Sequence, residues 1–374
     1  MTFSPELAAI RFGCGLSPHL SPPADASAIL DGLAESDRMA EAFPIPRFTD
    51  ALPRIGELRE MQKGFRKADD PEAARKAYRK ELQASKADAA AWLMQVILRQ
   101  SQSDTAFRER LVSFWADHFS ARGKSPVMKP FSVTYVEEAI RPHVTGSFGD
   151  LLVAAVSHPM MLHYLDQVGS IGPKSRRAER KAKGDGLNEN LAREVMELHT
   201  LGVDGPYTQD DVRQLAELFT GMTFNRKDGF RFNPAMSEPG AETVLGKSYG
   251  GRRGDFADVE AALRDIAVHP ATAKHVAWKL SVHFVADEPD PDLLEHVTAA
   301  YVASGGNLIA VYAALLEHPA SWRSELGNVK PPLDFIGSSA RALGFGPAQA
   351  QAMNASTPPT AMTPQRPTTL PRAM

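Results

Sequence analysis

The residue types best suited to chemistry cluster at residues 188–202, NENLAREVMELHTLG. Treated as one helix turning about 100° per residue, this stretch places Asn190, Glu194 and Glu197 within an arc of about 60°. Glu194 and Glu197 are three residues apart, close enough to share a cation or to split into an acid and a base. Such a pair also suits a divalent metal, because hard cations prefer oxygen ligands. His199 falls roughly 140–160° away from the two glutamates, among Leu191, Ala192, Val195 and Leu198. The helix therefore cannot supply a Glu/Glu/His ligand set by itself, and a second element has to complete the site. His118 is the first candidate, since the stretch 107–119 is amphipathic and carries His118 on the same apolar arc as Phe107, Leu111, Phe114 and Trp115. Asp166, at the end of MLHYLD, is the second.

These residues define an expected site. Glu194, Glu197 and Asn190 are its catalytic groups, and Glu194, Glu197, His118 and Asp166 surround a divalent metal. The bland alternative is that Arg193, one turn from Glu197, forms a structural ion pair with it. Other chemistry has less support. The sequence has no glycine-rich phosphate loop, CxxC, HExxH or GxSxG, which weighs against a nucleotide fold, a zinc ribbon, a zincin and an α/β-hydrolase.

The elements that must position these groups are nearly all helical. Helices are expected at 5–11, behind the Ser4-Pro5 start signal, and at 24–33. The region 54–100 reads as two helices broken near 69–71, with a solvated face of mixed charge. Further helices are expected at 107–119, 134–140, 148–156, 159–165, 189–201 and 209–219. The last two stop at Gly202 and near Gly221. The C-terminal set is 258–267, 270–284, 291–303, 308–317 and 332–343. A small hairpin is expected from Thr223-Phe224 and 230–232 around a glycine-bearing loop, with 243–245 as a third short strand. Three His-Pro pairs, at His158, His269 and His318, each separate an apolar helix from another helix, so these histidines read as junction residues and not as ligands.

The fold class expected is thus a mainly α, multi-helical body with one small β-hairpin element near 222–246, forming a single domain over 1–346. Residues 174–186, KSRRAERKAKGDG, read as a basic mobile loop. Residues 347–374, rich in Pro, Thr, Ala and Gln, read as a disordered tail. Of the 374 residues 43% are hydrophobic, enough for a large core, and a formal net charge of −3 argues against bulk attraction to nucleic acid. Cys14 is alone, so no internal disulfide forms. No apolar run is long enough to span a membrane, and the N-terminus lacks the basic and apolar regions of a secretory leader. A cytoplasmic location is expected, with export left open.

The chain resembles a bacterial family catalogued as domain of unknown function 1800. The resemblance rests on AIRFGCGLSP (9–18), ERLVSFWADHFS (109–120), EEAIRPH (137–143), HPMMLHYLDQ (158–167), NENLAREVMELHTLGVDGPYTQDDV (188–212), EPGAETVLG (238–246), HPATAKHVAWKLSVHFVADEP (269–289) and VKPPLDFIGSSARALG (329–344). It implies a helical protein, no established reaction, and a sulfatase-like companion protein as partner. Many relatives resemble exported proteins. Two departures stand out: Ser237 occupies a position where the family pattern often has histidine, and the chain turns into low-complexity sequence at Pro347, as a truncated C-terminus would. Two functions follow as expectations: a metal- or acid/base-dependent enzyme using the helix-borne carboxylate pair, or a non-catalytic helical scaffold for the sulfatase-like protein.

Overall fold

The computed structural model describes residues 3–180, 186–225, 229–325 and 327–356, the side chains of Arg66 and 354–356 aside. Among the described residues, 17 α-helices surround a continuous apolar core, and the only sheets are two antiparallel pairs. Three helices keep the bounds read from the sequence: Pro5–Arg11, Pro270–Phe284 and Leu308–Glu317. All three carry strong local start signals. Ser4 Oγ accepts the Leu7 N–H at 3.2 Å, and Asn307 Oδ1 accepts the Ala310 N–H at 3.1 Å.

The His-Pro junctions share one local structure. His158, His269 and His318 each precede a proline at the first helical position. The Nδ1 atom of each accepts the N–H two residues on, at 3.0, 3.1 and 3.3 Å respectively. Imidazole thus does the capping work usually left to Ser or Asp.

The helix Ala106–His118 is buried over most of its surface: Phe107, Leu111, Phe114 and Trp115 are buried, and so are Arg108, Glu109 and Arg110. The amphipathic reading expects those charges to face water. Instead each finds a buried partner, which is what makes its burial tolerable. Arg108 donates to the carbonyls of Leu33 and Glu35, at 2.6 and 2.9 Å. Glu109 pairs with Arg141 at 2.6 Å, and Arg110 with Asp334 at 3.3 Å. Trp115 Nε1 donates to the Tyr312 hydroxyl at 2.7 Å, which donates to the Val144 carbonyl at 2.9 Å.

Several boundaries differ from the sequence reading. The helix expected from residue 54 runs Phe48–Gly64 and includes Pro53. It starts earlier because the Glu138 carboxylate, 89 residues away, accepts the Thr49 N–H at 2.7 Å and its hydroxyl at 2.9 Å. The expected hairpin pairs Met222–Asn225 with Gly229–Phe232; its turn, 226–228, lies outside the described residues. The third strand belongs to a second hairpin, in which Gly240–Val244 pairs with Lys247–Gly251. Leu245 and Gly246 turn it with φ of 52° and 76°, the two positive values a tight hairpin turn requires. Leu245 tolerates this because Asp211 accepts its N–H at 2.7 Å. Residues 347–356, expected within the tail, form a helix, Pro347–Ser356, with Ala350 buried. The chain entering it is tied to a distant segment, since Gln102 Nε2 donates to the Phe345 carbonyl at 2.8 Å, a contact that a local period cannot reveal. The rest of the expected tail lies outside the described residues.

Candidate functional site

The 188–202 stretch is helical but not a uniform α-helix. It is α over Asn190–Glu194 and then widens to a π-helix over Val195–His199. Such wide turns recur at functional sites because they re-aim side chains and release carbonyls. Thr200 Oγ1 donates to the Val195 carbonyl at 2.6 Å, and Gly202, at φ 88°, ends the helix as its sequence position suggests. At the other end, Asn188 Oδ1 accepts the Asn190 N–H at 3.0 Å. Asn188 Nδ2 also donates to the Leu165 carbonyl at 2.8 Å, tying the helix start to the turn that carries Asp166.

The carboxylate face reaches solvent. Asn190 is exposed. Glu197 is held by Arg193 at 3.2 Å, and Arg193 also pairs with Glu189 at 3.2 Å and donates to Gln209 Oε1 at 3.0 Å. Glu197 is therefore spent on the ion pair that the sequence offered as the bland alternative. Glu194 differs. It is half-buried and makes no hydrogen bond or ion pair among the described residues. Burial, helped by the neighbouring Glu197 charge, pushes its carboxyl up from the ordinary glutamate range, while Lys124 pulls it back.

Lys124 is the group the sequence reading missed. Its ammonium pairs with Asp166 at 2.6 Å and lies 5.9 Å from the centre of the Tyr164 ring. Its backbone N–H donates to His163 Nε2 at 3.3 Å, so the proton of a neutral His163 is on Nδ1. Asp166 is one of two non-glycine residues with positive φ among those described, at 57°. Backbone held in this sparsely populated region is more common at functional sites than elsewhere. Lys124 lies in a loop of no regular period, ARGKS, and no sequence signal pointed to it.

His118 does not join this face. It is on the opposite, buried side of the helix, where its Nε2 donates to the His199 carbonyl at 3.0 Å. His275 Nδ1 donates to the next carbonyl, that of Thr200, at 2.7 Å. The π-turn frees these two carbonyls, and the two imidazoles satisfy them. The rings of His118, His199 and His275 form one cluster, with centroids 5.9 and 6.4 Å from His118. Burial pushes all three imidazoles down, with the nearby Lys279 charge acting in the same direction, and takes His199 to about 3. The cluster is neutral at physiological pH. The structure thus brings Asp166 to the neighbourhood of Glu194 through Lys124, and leaves His118 on the far side. Among the described residues, no three His, Cys, Asp or Glu side chains are grouped to hold a metal ion, so the four expected ligands do not form one set. The physical reason is that His118 follows the apolar face of its own helix inward, whereas the carboxylates face out.

A second acidic group escaped the sequence reading altogether. Glu217, Glu238 and Glu242 are buried together beside the second hairpin. Burial and hydrogen bonding to Glu217 push the Glu242 carboxyl up to about 7. Arg213 and Lys174 offset the remaining charge, at 3.2 Å from Glu217 and 3.8 Å from Glu238. These carboxylates come from three separate segments and have no common sequence spacing.

One family model, described as a protein of unknown function (DUF1800), matches residues 8–371. The chain belongs to that family. No curated protein and no solved structure matches it. No helix among the described residues is long and apolar enough to cross a membrane.

Proposed function

We propose that the solvent-facing side of the 190–199 helix is an acid–base site, with Glu194 as the group that takes and gives the proton. One observation carries this reading: Glu194 is half-buried and unpaired among the described residues, while Glu197 beside it and Lys124 opposite pull its carboxyl in opposite directions. A carboxyl held above its ordinary range, with solvent access, is suited to general acid–base work. Lys124, positioned by Asp166 and His163, supplies a positive charge for an oxygen of a bound ligand. Asn190 adds an exposed amide on the same face. Carbon-13 carboxyl titration by NMR tests the premise. Glu194 is expected to titrate above 4.5, and to move down in Glu197→Gln. A panel of small ester, amide and glycoside substrates tests the activity, with Glu194→Gln as the inactive control. An ordinary Glu194 titration, or turnover unchanged in Glu194→Gln, overturns the reading.

The second reading, a non-catalytic helical partner of a sulfatase-like companion, has one observation in its favour. On and flanking the helix Pro332–Ala342, Val329, Phe335, Ile336 and Leu343 are 87%, 65%, 49% and 84% exposed. Apolar surface of this kind favours a protein contact. Co-expression with the companion should co-purify both proteins, and Phe335→Ser with Leu343→Ser should separate them. Failure of the unaltered chain to co-purify removes this reading.

A further inference from the structure

The basic segment that begins at Lys174 has a definite place in the fold. Over 174–180 it is a run of turns fastened at several points. Lys174 N donates to Glu238 Oε2 at 2.8 Å, Arg177 N to the Ala235 carbonyl at 2.9 Å, and Ala178 N to Ser175 Oγ at 3.3 Å. Residues 181–185 of the same segment lie outside the described residues. Facing it is the turn Arg252-Arg253-Gly254, between the second hairpin and the helix Phe256–Ala267. That turn is pressed against Ser237: a Cβ on Gly254 would fall 1.9 Å from Ser237 Oγ, so only glycine fits. Between the two segments lies an open surface concavity of about 380 Å³ lined by Ser175, Ser237 and the exposed Lys174, Arg176, Arg252 and Arg253, with two prolines and Gly254 completing it.

The charge in this cavity is not balanced from within. Among the described residues, Lys174 is the only one of the four cations with a carboxylate within ion-pair distance, Glu238 at 3.8 Å. Arg176, Arg252 and Arg253 have no ion pair or hydrogen bond from their side chains among the described residues. The core guanidiniums behave differently, since Arg11, Arg99, Arg108, Arg141 and Arg341 are all bound to carbonyls or carboxylates. Holding three guanidiniums around one concavity costs mutual repulsion, and an oxyanion placed among them removes it. Arginine is the side chain whose planar fork matches phosphate and sulfate oxygens two at a time.

We propose that this cavity is a binding site for an oxyanion carrying phosphoryl or sulfate groups, held by Arg176, Arg252 and Arg253. The proposal is independent of the acid–base site, and either can fail alone. The test is isothermal titration of the whole chain with inorganic pyrophosphate and, separately, with inorganic sulfate, at low and at physiological salt. Binding of either anion, weakened as salt rises, is expected, and the anion that binds more tightly identifies the class. The double variant Arg252→Ala/Arg253→Ala should weaken that binding by roughly tenfold or more, with its thermal unfolding unchanged. Arg252→Lys/Arg253→Lys, which keeps the charge and loses the fork, should recover only part of it. No heat with either anion overturns the proposal, as does binding that persists undiminished in the folded double alanine variant.

Discussion

Glu194 and His199 stand five residues apart on one helix, and burial drives both toward the neutral form, which means up for the carboxyl and down for the imidazole. The resemblance ends there. Glu194 is half-buried, unpaired among the described residues and within the field of a lysine that is itself held by Asp166. His199 is buried against the rings of Phe119 and His118, and its carbonyl is occupied by His118. One face has solvent access and an unspent group; the other caps its own helix. A perturbed pKa is common to both, so it does not by itself mark a site. Access and lack of a partner separate them.

The comparison breaks most sharply with acid. The histidine face holds imidazoles whose folded pKa lies below the ordinary 6.5, with His199 near 3. Groups depressed in this way add stability above pH 6.5 that is lost as pH falls toward their folded values, because the unfolded chain takes up protons the native state refuses. Thermal melting should therefore drop steeply between pH 6.5 and 4, and His199→Gln should flatten that slope. An unchanged slope would mean the cluster is not neutral in the fold. Next in size, His118→Ala removes a buried side chain and orphans the His199 carbonyl, a loss of about 2–4 kcal/mol by urea denaturation. A loss under about 0.5 kcal/mol would make His118 peripheral and reopen it as a ligand.

The carboxylate face should respond far less. Asp166→Ala keeps a Cβ in left-handed backbone and loses the carboxylate that pairs with Lys124, and should cost about 1 kcal/mol. Asp166→Gly should be close to neutral, because glycine accepts that backbone freely. Equal effects from the two would remove the strain argument. Smallest of all is Glu194→Gln. A raised carboxyl contributes stability below its unfolded value that is lost as pH rises through the folded one, so the variant should gain slightly at pH 8 and nothing at pH 4. With Glu194 partly solvated, that gain should stay below about 0.5 kcal/mol. Any large loss of stability in Glu194→Gln would make the residue structural.

The two faces also differ in how far they could be read from sequence. A 3.6-residue period separates Glu194 and Glu197 from His199, and the structure keeps that separation although the helix widens midway. The ion pair of Arg193 with Glu197 follows from spacing on one helix. Lys124, His163 and His275 did not emerge, since their roles depend on distances between segments remote in the chain. The same limit hid the second hairpin partner, Lys247–Gly251, and the Glu217/Glu238/Glu242 cluster.

By itself, the sequence determined what is local: where helices start at Ser4, His269 and Asn307, where one ends at Gly202, and which residues of 188–202 share a face. Those outcomes depend on hydrogen bonds and steric preferences within a few residues. Tertiary structure alone decided that His118 turns to a carbonyl and away from the carboxylates, that the Lys124 charge acts on Glu194, and that two arginine-bearing turns line one surface concavity. Each of these depends on which distant segment fills the space beside a side chain, and no periodicity within a segment encodes that.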